Sequence, residues 1–286
     1  MLNPRRGFSL VELIVAVVVA CAIGAAVLES GVGQQRAFAA GARRAVARDA
    51  VRQAAAILSA DLRALSPRDG DLYAIAPDQV EFRLLLGASV LCTIGAARDA
   101  AVLPPLPSAS RLGLTSWVAA PAAGDTLLVL DAASGAWARH VLTTDPAAGA
   151  SCPVGSGFAE TPAEAAAGWR IAFRPPLAPT VRPGAPLRFV RRARYQLYRA
   201  ADARWYLGFV DCLATRATPC AVVQPVAGPY DAGGLRFAYL DSAGAPAAAP
   251  ADVAVITVDA RASSAAADPG RPPRRDSARA VIAVRD

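Results

Sequence analysis

The chain has 286 residues, of which 54% are hydrophobic and 19% charged, and its 30 basic against 23 acidic side chains give a formal net charge of +7. This length and apolar content support a folded core and exclude a chain that is disordered throughout. Every basic residue is arginine and the one histidine is His140, which excludes a Schiff-base lysine, a P-loop lysine and a multi-histidine metal site.

The first apolar segment covers residues 8–28 and carries a single charge, Glu12. As a helix rising roughly 1.5 Å per residue, it is long enough to cross the roughly 30 Å hydrocarbon core of a membrane. Arg5 and Arg6 precede it, and basic residues hold that end of a first span in the cytoplasm. The sequence therefore predicts a single-pass inner-membrane protein with a cytoplasmic leader, residues 1–7, and a periplasmic remainder.

Glu12 is the residue of this segment that requires a partner. A carboxylate inside a membrane span costs up to roughly 2.5–3.5 kcal/mol on insertion scales. Cleavage after Gly7 would give Phe8 a positively charged amine on the same helical face as Glu12, four residues earlier. That amine, from the same chain or from a neighbour, would neutralise the carboxylate and favour the docking of one helix on another.

Residues 5–13, Arg-Arg-Gly-Phe-Ser-Leu-Val-Glu-Leu, resemble the cleavage and methylation motif of type IV prepilins and type II secretion pseudopilins. The resemblance implies that a prepilin peptidase cuts between Gly7 and Phe8 and methylates the new Phe8 amine. Three other interpretations stay open for the segment. They are a secretory signal peptide with its cleavage site at 37–39, a lipoprotein signal ending at Cys21, and an uncleaved anchor.

The helical pattern continues beyond the membrane, because no proline occurs between Pro4 and Pro67. Apolar residues recur at steps of three and four on an otherwise polar helix: Val51, Ala54, Leu58, Leu62 and Leu65. This stripe should seat the helix on a sheet. Glycines at 24, 31, 33 and 41 each cost roughly 1 kcal/mol against alanine, which predicts a bend or local melting there.

After Pro67 the apolar period shortens to two, which predicts a series of strands. They are predicted at 72–75, 80–84, 90–92, 126–130, 137–142, 170–174, 187–198, 205–211, 235–241, 253–260 and 278–284. A hairpin should join the pair at 126–142, and loops are predicted at 101–109, 175–186, 245–251 and 265–276. The predicted fold class is α+β, a long N-terminal transmembrane and stalk helix followed by a β-rich, pilin-like globular head.

The predicted organisation has four parts. They are the leader 1–7, the transmembrane half of the helix at 8–28, its periplasmic amphipathic half at 29–66, and the head at 67–286 with an insertion around 95–185. Residues 192–199, 234–241 and 251–258 resemble strands of J-type minor pseudopilins and PilW-like minor pilins, and the insertion fits the longer PilW-like members. The resemblance implies a structural subunit at a filament tip. Its partners would be the prepilin peptidase, other minor pilins or pseudopilins, and the major subunit.

Four cysteines lie on the exported side, where disulfides form, and three pairings are open to them. Cys212 and Cys220 bracket a short loop and are predicted to pair, which leaves Cys92 with Cys152. A zinc site would lack any Cys-x-x-Cys spacing and could use only one histidine. We therefore predict no metal and no cofactor.

The sequence also offers no recognisable catalytic arrangement, so no enzyme is predicted. His140 lies on a predicted strand, where a lone histidine is usually structural or at the surface. The segments 69–71 and 231–234 have the composition of turns and lack the alternating oxygen ligands of a calcium loop.

Four arginines cluster in one predicted strand: Arg188, Arg191, Arg192 and Arg194. On a strand they alternate between faces, which predicts a solvated strand rather than the continuous basic and aromatic surface that binds nucleic acid. Nucleic acid is therefore not an expected partner. The alternative to a structural subunit of this kind is a membrane-anchored periplasmic protein of another role, either a lipoprotein or a component of a DNA-uptake pilus.

Overall fold

The structure, a computed structural model, describes residues 10–107, 113–213, 218, 220–264 and 275–285, with backbone alone at 12, 26, 33, 36 and 43. One long helix, α1 (Leu10–Leu62), is followed by a β-rich domain. The predicted α+β class with an N-terminal stalk helix is confirmed.

Helix α1 runs without a break through its glycines, so the expectation of local melting is wrong. A side chain at Gly24, Gly31 or Gly41 would meet nothing within 4 Å, so no tertiary contact distorts the helix there. The helix ends at Leu62, a few residues before the predicted end, because Leu65 folds back and donates its amide to the Leu62 carbonyl at 3.3 Å. A short 3₁₀ turn, Pro67–Asp69, follows.

Fifteen strands follow α1 among the residues that the structure describes. They are β1 (Leu72–Ala76), β2 (Gln79–Val90), β3 (Thr93–Ile94), β4 (Ala100–Leu103), β5 (Ser116–Trp117), β6 (Thr126–Asp131), β7 (Ala136–Leu142), β8 (Ala147–Ala150), β9 (Gly168–Arg174), β10 (Pro186–Arg199), β11 (Trp205–Asp211), β12 (Val223–Tyr230), β13 (Leu235–Leu240), β14 (Val255–Ser263) and β15 (Arg275–Ala283). A four-residue helix, α2 (Pro162–Ala165), precedes β9.

The strands form two sheets among the described residues. The twelve-stranded sheet follows the order β1-β2-β10-β6-β7-β9-β4-β3, with β11 and β12 continuing from β10, β5 on β2 and β8 on β9. The second sheet has the order β13-β14-β15. Every pairing between these named strands is antiparallel, and the predicted hairpin is confirmed as β6 paired with β7.

The two long strands β2 and β10 pair from Val90↔Pro186 to Gln79↔Gln196 and connect two hydrophobic cores. In the first core Phe82 and Tyr195 lie beneath the end of α1 and beside the three-stranded sheet. In the second core Leu86 and Phe189 pack against β6 and β9. The segment between β2 and β10, which includes the predicted insertion, therefore builds most of a second lobe with its own core. The part of the head around the first core is called the first lobe.

Several strand predictions need correction. The predicted strand 80–84 lies within β2, which continues to Val90, so only the first residue of the predicted strand 90–92 belongs to a strand. The pairing of β2 with β10 shifts register between Phe189 and Val190. Strand β4 lies in a predicted loop, and β8 and β12 were not predicted. Their alanine- and proline-rich sequences have low intrinsic strand propensity, so it is the pairing of β4 and β8 with β9, and of β12 with β11, that extends them. Most of the predicted loop 265–276 falls outside the described residues.

Candidate functional site

The N-terminal part of α1 extends away from the head with its apolar surface uncovered. From residue 10 to residue 30 every described side chain is exposed, with Leu10 at 73% and Leu28 at 71%. This is the helix of the described residues that is long and apolar enough to cross a membrane. A continuous apolar surface of this size in water is unfavourable, so a bilayer or other apolar helices must cover it.

The C-terminal part of the same helix is buried against the head. The predicted stripe is confirmed: Val51, Ala54, Leu58, Leu62 and Leu65 are all buried. Ala47 and Ala50 extend it by one turn toward the membrane side, and their small side chains let the backbone approach the strands closely. The helix thus divides at about residue 47 into a free half, apolar as far as Leu28, and a half that belongs to the first core.

Two tyrosine hydroxyls of the head donate hydrogen bonds to the buried half of α1. Tyr195 on β10 donates to Oδ2 of Asp61 at 2.6 Å, and Tyr230 on β12 donates to the carbonyl of Ala50 at 2.8 Å. Burial raises the pKa of both hydroxyls above the usual range, and the Asp61 charge raises that of Tyr195 further. The alternating apolar pattern of these strands places both rings in the core, but it does not identify hydrogen-bond partners on the helix.

The predicted processing residues lie where the structure describes little. Arg5, Arg6, Gly7 and Phe8 are outside the described residues, and Glu12 is described by its backbone in the first turn of α1. The pairing of Glu12 with the Phe8 amine therefore stays a prediction. Cys21 is exposed in the middle of the free apolar half and forms no disulfide.

Both predicted disulfides are present. Cys92–Cys152 is buried in the second lobe beside Ala159 and Ala165, where it closes a small apolar cluster. Cys212–Cys220 follows directly after β11, with Cys212 buried. Its sulfur atoms and a Glu81 oxygen lie within 4.8 Å of one another, but the sulfurs are bonded to each other and Glu81 binds Arg192.

The arginine-rich strand β10 is more than the solvated strand that was predicted. Arg191 shares a face with Phe189 and Ala193 and is buried, whereas Arg188, Arg192 and Arg194 lie on the opposite face. Arg192 forms two hydrogen bonds to Glu81, at 2.7 and 2.6 Å. The alternation between faces was predicted correctly. The burial of Arg191 on the core side, in an ion pair, was not predicted.

Arg191 binds two carboxylates at the junction of the two cores. Its Nε and Nη2 donate to the two oxygens of Asp125, both at 2.6 Å, and its Nη1 donates to Asp211 at 3.2 Å. Burial lowers the pKa of the guanidinium, but the hydrogen bonds and negative charges of Asp125 and Asp211 outweigh burial and leave that pKa above its usual value. The three residues come from β10, the position just before β6 and the end of β11, so they join the two lobes electrostatically.

Two other residue groups singled out in the sequence have structural roles here. His140 is buried in the second lobe, with Nδ1 2.6 Å from the Pro175 carbonyl oxygen and its ring edge-on to Phe173. Asp71 is engaged at both carboxylate oxygens, by Arg83 at 2.6 Å and by the Ser66 amide at 2.8 Å. Gly70, with φ of 76°, ends the short 3₁₀ turn that lies between Ser66 and Asp71.

Together these features define a class of protein: a single apolar helix fit to cross a membrane, continuous with a stalk that carries a β-rich head. Residues 2–28 match the prokaryotic N-terminal methylation motif. The chain is accordingly a type IV prepilin-like protein, and the motif implies processing by a prepilin peptidase and assembly with other pilins. Comparison with curated proteins and with solved structures found no match.

Proposed function

We propose that the protein is a minor pilin or minor pseudopilin, a non-enzymatic structural subunit of a type IV pilus or a type II secretion pseudopilus. One observation carries the proposal: the matched motif leads directly into a helix that is uncovered and apolar at one end and buried in a β-rich head at the other. Such a helix can leave the membrane and exchange lipid for the helices of neighbouring subunits without unfolding the head.

The second lobe supports a minor role at the tip of the filament. Repeated subunits along a filament crowd one another on every side, whereas a subunit at the tip has neighbours below it and space above. A head enlarged by the segment between β2 and β10 suits that position. The resemblance of residues 192–199, 234–241 and 251–258 to strands of minor subunits points the same way. In this proposal residues 1–7 are the leader, 8–28 cross the membrane, and the rest is periplasmic.

Processing is tested by the mass of the mature chain. We expect protein purified from membranes to begin at N-methylated Phe8, and Gly7→Leu to retain Met1, because a bulky side chain replaces hydrogen at the scissile bond. Gly31→Ala is the matched control, since a methyl group there meets nothing within 4 Å and should leave processing intact. A chain that begins at lipidated Cys21, or a wild-type chain that retains its leader, would contradict the proposal.

Assembly is tested at Glu12. We expect Glu12→Ala to lose co-purification with partner subunits while its expression and processing stay normal, because the N-terminal amine then lacks a counter-charge in lipid. Glu29→Ala is the control, since Glu29 is an exposed carboxylate on the same helix beyond the predicted span. Partner subunits recovered in equal amounts with both variants would show that Glu12 does not act by pairing with an amine.

A further inference from the structure

The outer face of the second lobe carries arginines from three strands. Arg188 on β10 lies opposite Leu128 on β6, which lies opposite Arg139 on β7. In the next row Val141 on β7 lies opposite Arg174 on β9. Directly opposed residues of neighbouring strands point to the same side of a sheet. Their sequence neighbours Leu127, Phe173 and Phe189 point into the second core, so these three arginines point outward.

Apolar side chains lie among these arginines and are uncovered. Leu85 is 50% exposed, Val141 40% and Trp137 37%. The Arg188 guanidinium lies 4.6 Å from the centre of the Trp137 ring, which holds both side chains against the sheet. We call the surface formed by Leu85, Trp137, Arg139, Val141, Arg174 and Arg188 the arginine face.

The charge of this face is not compensated within the described part of the chain. Arg139, Arg174 and Arg188 form no ion pair there, whereas two acidic residues elsewhere on the sheet, Asp71 just before β1 and Glu81 on β2, are both engaged. Asp71 binds Arg83, and Glu81 binds Arg192. Arg139 has only a 3.4 Å contact with the Thr126 hydroxyl. The face therefore presents unpaired positive charge interspersed with exposed apolar side chains.

We propose that the arginine face binds an acidic surface of another protein, one whose carboxylates accept from Arg139, Arg174 and Arg188 and whose apolar side chains cover Leu85, Trp137 and Val141. Tryptophan and arginine are among the residues most enriched where protein interfaces gain their affinity. The inference uses the proposed function only to place the partner on the periplasmic side, among the subunits of the assembly.

A protein fits this face better than a nucleic acid does. Single-stranded nucleic acid requires an aromatic face on which a base can stack, and here Arg188 already lies over the Trp137 ring. Leu85 and Val141 would also remain exposed beneath a phosphate backbone, whereas the apolar side chains of a protein would bury them. The arginine pattern is consistent with carboxylates, which guanidinium groups bind with two parallel hydrogen bonds.

The test uses the full chain in its own cells, with the photo-crosslinking amino acid p-benzoylphenylalanine at Val141 as the probe. The same amino acid at Val281, an outward-facing valine on β15 that is 63% exposed, is the matched control. We expect a strong adduct from position 141 with one protein whose cross-linked peptide contains Asp or Glu, and little of it from position 281. An adduct with nucleic acid, an adduct with lipid, equal adducts at both positions, or none would overturn the proposal.

The electrostatic part is tested by combining the probe with Arg139→Glu and Arg188→Glu. We expect the adduct to fall about tenfold or more, and to return when the acidic residues of the cross-linked peptide are changed to Arg. Arg199→Glu with Arg204→Glu makes the same change of charge on exposed residues of the first lobe and should leave the adduct unchanged. An adduct that is undiminished in the Arg139→Glu, Arg188→Glu variant overturns the proposal, provided that this variant keeps the thermal midpoint of the unchanged protein. The mass of the N-terminus in the same sample shows separately whether the proposed function holds.

Discussion

Arg191→Met should lower the free energy of unfolding by about 3–5 kcal/mol, because it leaves the buried Asp125 carboxylate with the Ala122 amide as a donor but without a compensating positive charge. The side chain of Asp125 is 1% exposed, and both of its oxygens accept from Arg191. Methionine fills a similar volume, so the loss reports the unpaired charge rather than a cavity. The measurement is chemical denaturation of the mature chain in detergent, followed by circular dichroism.

Two controls separate this effect from a general sensitivity to the loss of an arginine. Arg279→Met removes an ion pair with the same two-pronged geometry to Asp259, but on the exposed side of β15, and should change the midpoint little. Arg191→Met with Asp125→Leu removes both buried charges and should regain most of the lost stability. A double variant as unstable as Arg191→Met alone would show that packing, not the unpaired charge, determines the effect.

The sequence predicted the helical part of this fold well because the information there is local. Leu58 and Leu62 lie one turn apart on an amphipathic stripe, and the stripe alone is enough to predict which side of α1 packs on the head. The processing motif is local in the same sense. Gly7, Phe8 and Glu12 lie within one short segment, so the segment identifies a prepilin-like protein before any tertiary contact is known.

The parts that were missed depend on residues far apart in the chain. Arg191 and Asp125 are separated by 66 positions, and only the pairing of β10 with β6 brings them together. The residues of β4 are extended because they pair with β9, since alanine itself has little preference for strands. The arginine face is likewise invisible in the sequence, since Arg139, Arg174 and Arg188 come from three strands that meet through the register of the sheet.

Stability should also fall steeply above about pH 10, because three buried tyrosines ionise more readily in the unfolded chain. Burial raises the pKa of Tyr195, Tyr230 and Tyr239 in the folded protein. Below the unfolded value of about 10 both states hold the proton and stability is complete. Above it only the unfolded state loses protons, so each tyrosine removes about 1.4 kcal/mol per pH unit until its folded pKa is reached.

The absence of lysine makes this prediction unusually clear, since arginines stay charged throughout the range. For three tyrosines the slope is about 4 kcal/mol per pH unit, measurable as the thermal midpoint at a series of alkaline pH values. Tyr230→Phe should reduce the slope by about a third, whereas Tyr206→Phe should reduce it less, because the pKa of Tyr206 is raised mainly by its hydrogen bond to Asp202 and not by burial. Phenolate absorbance from the buried rings should rise together with the loss of ellipticity, since these hydroxyls must leave Asp61 and the Ala50 carbonyl before they ionise. Complete phenolate formation in a chain that is still folded would contradict this prediction, because it would mean that water reaches the interface between α1 and the head.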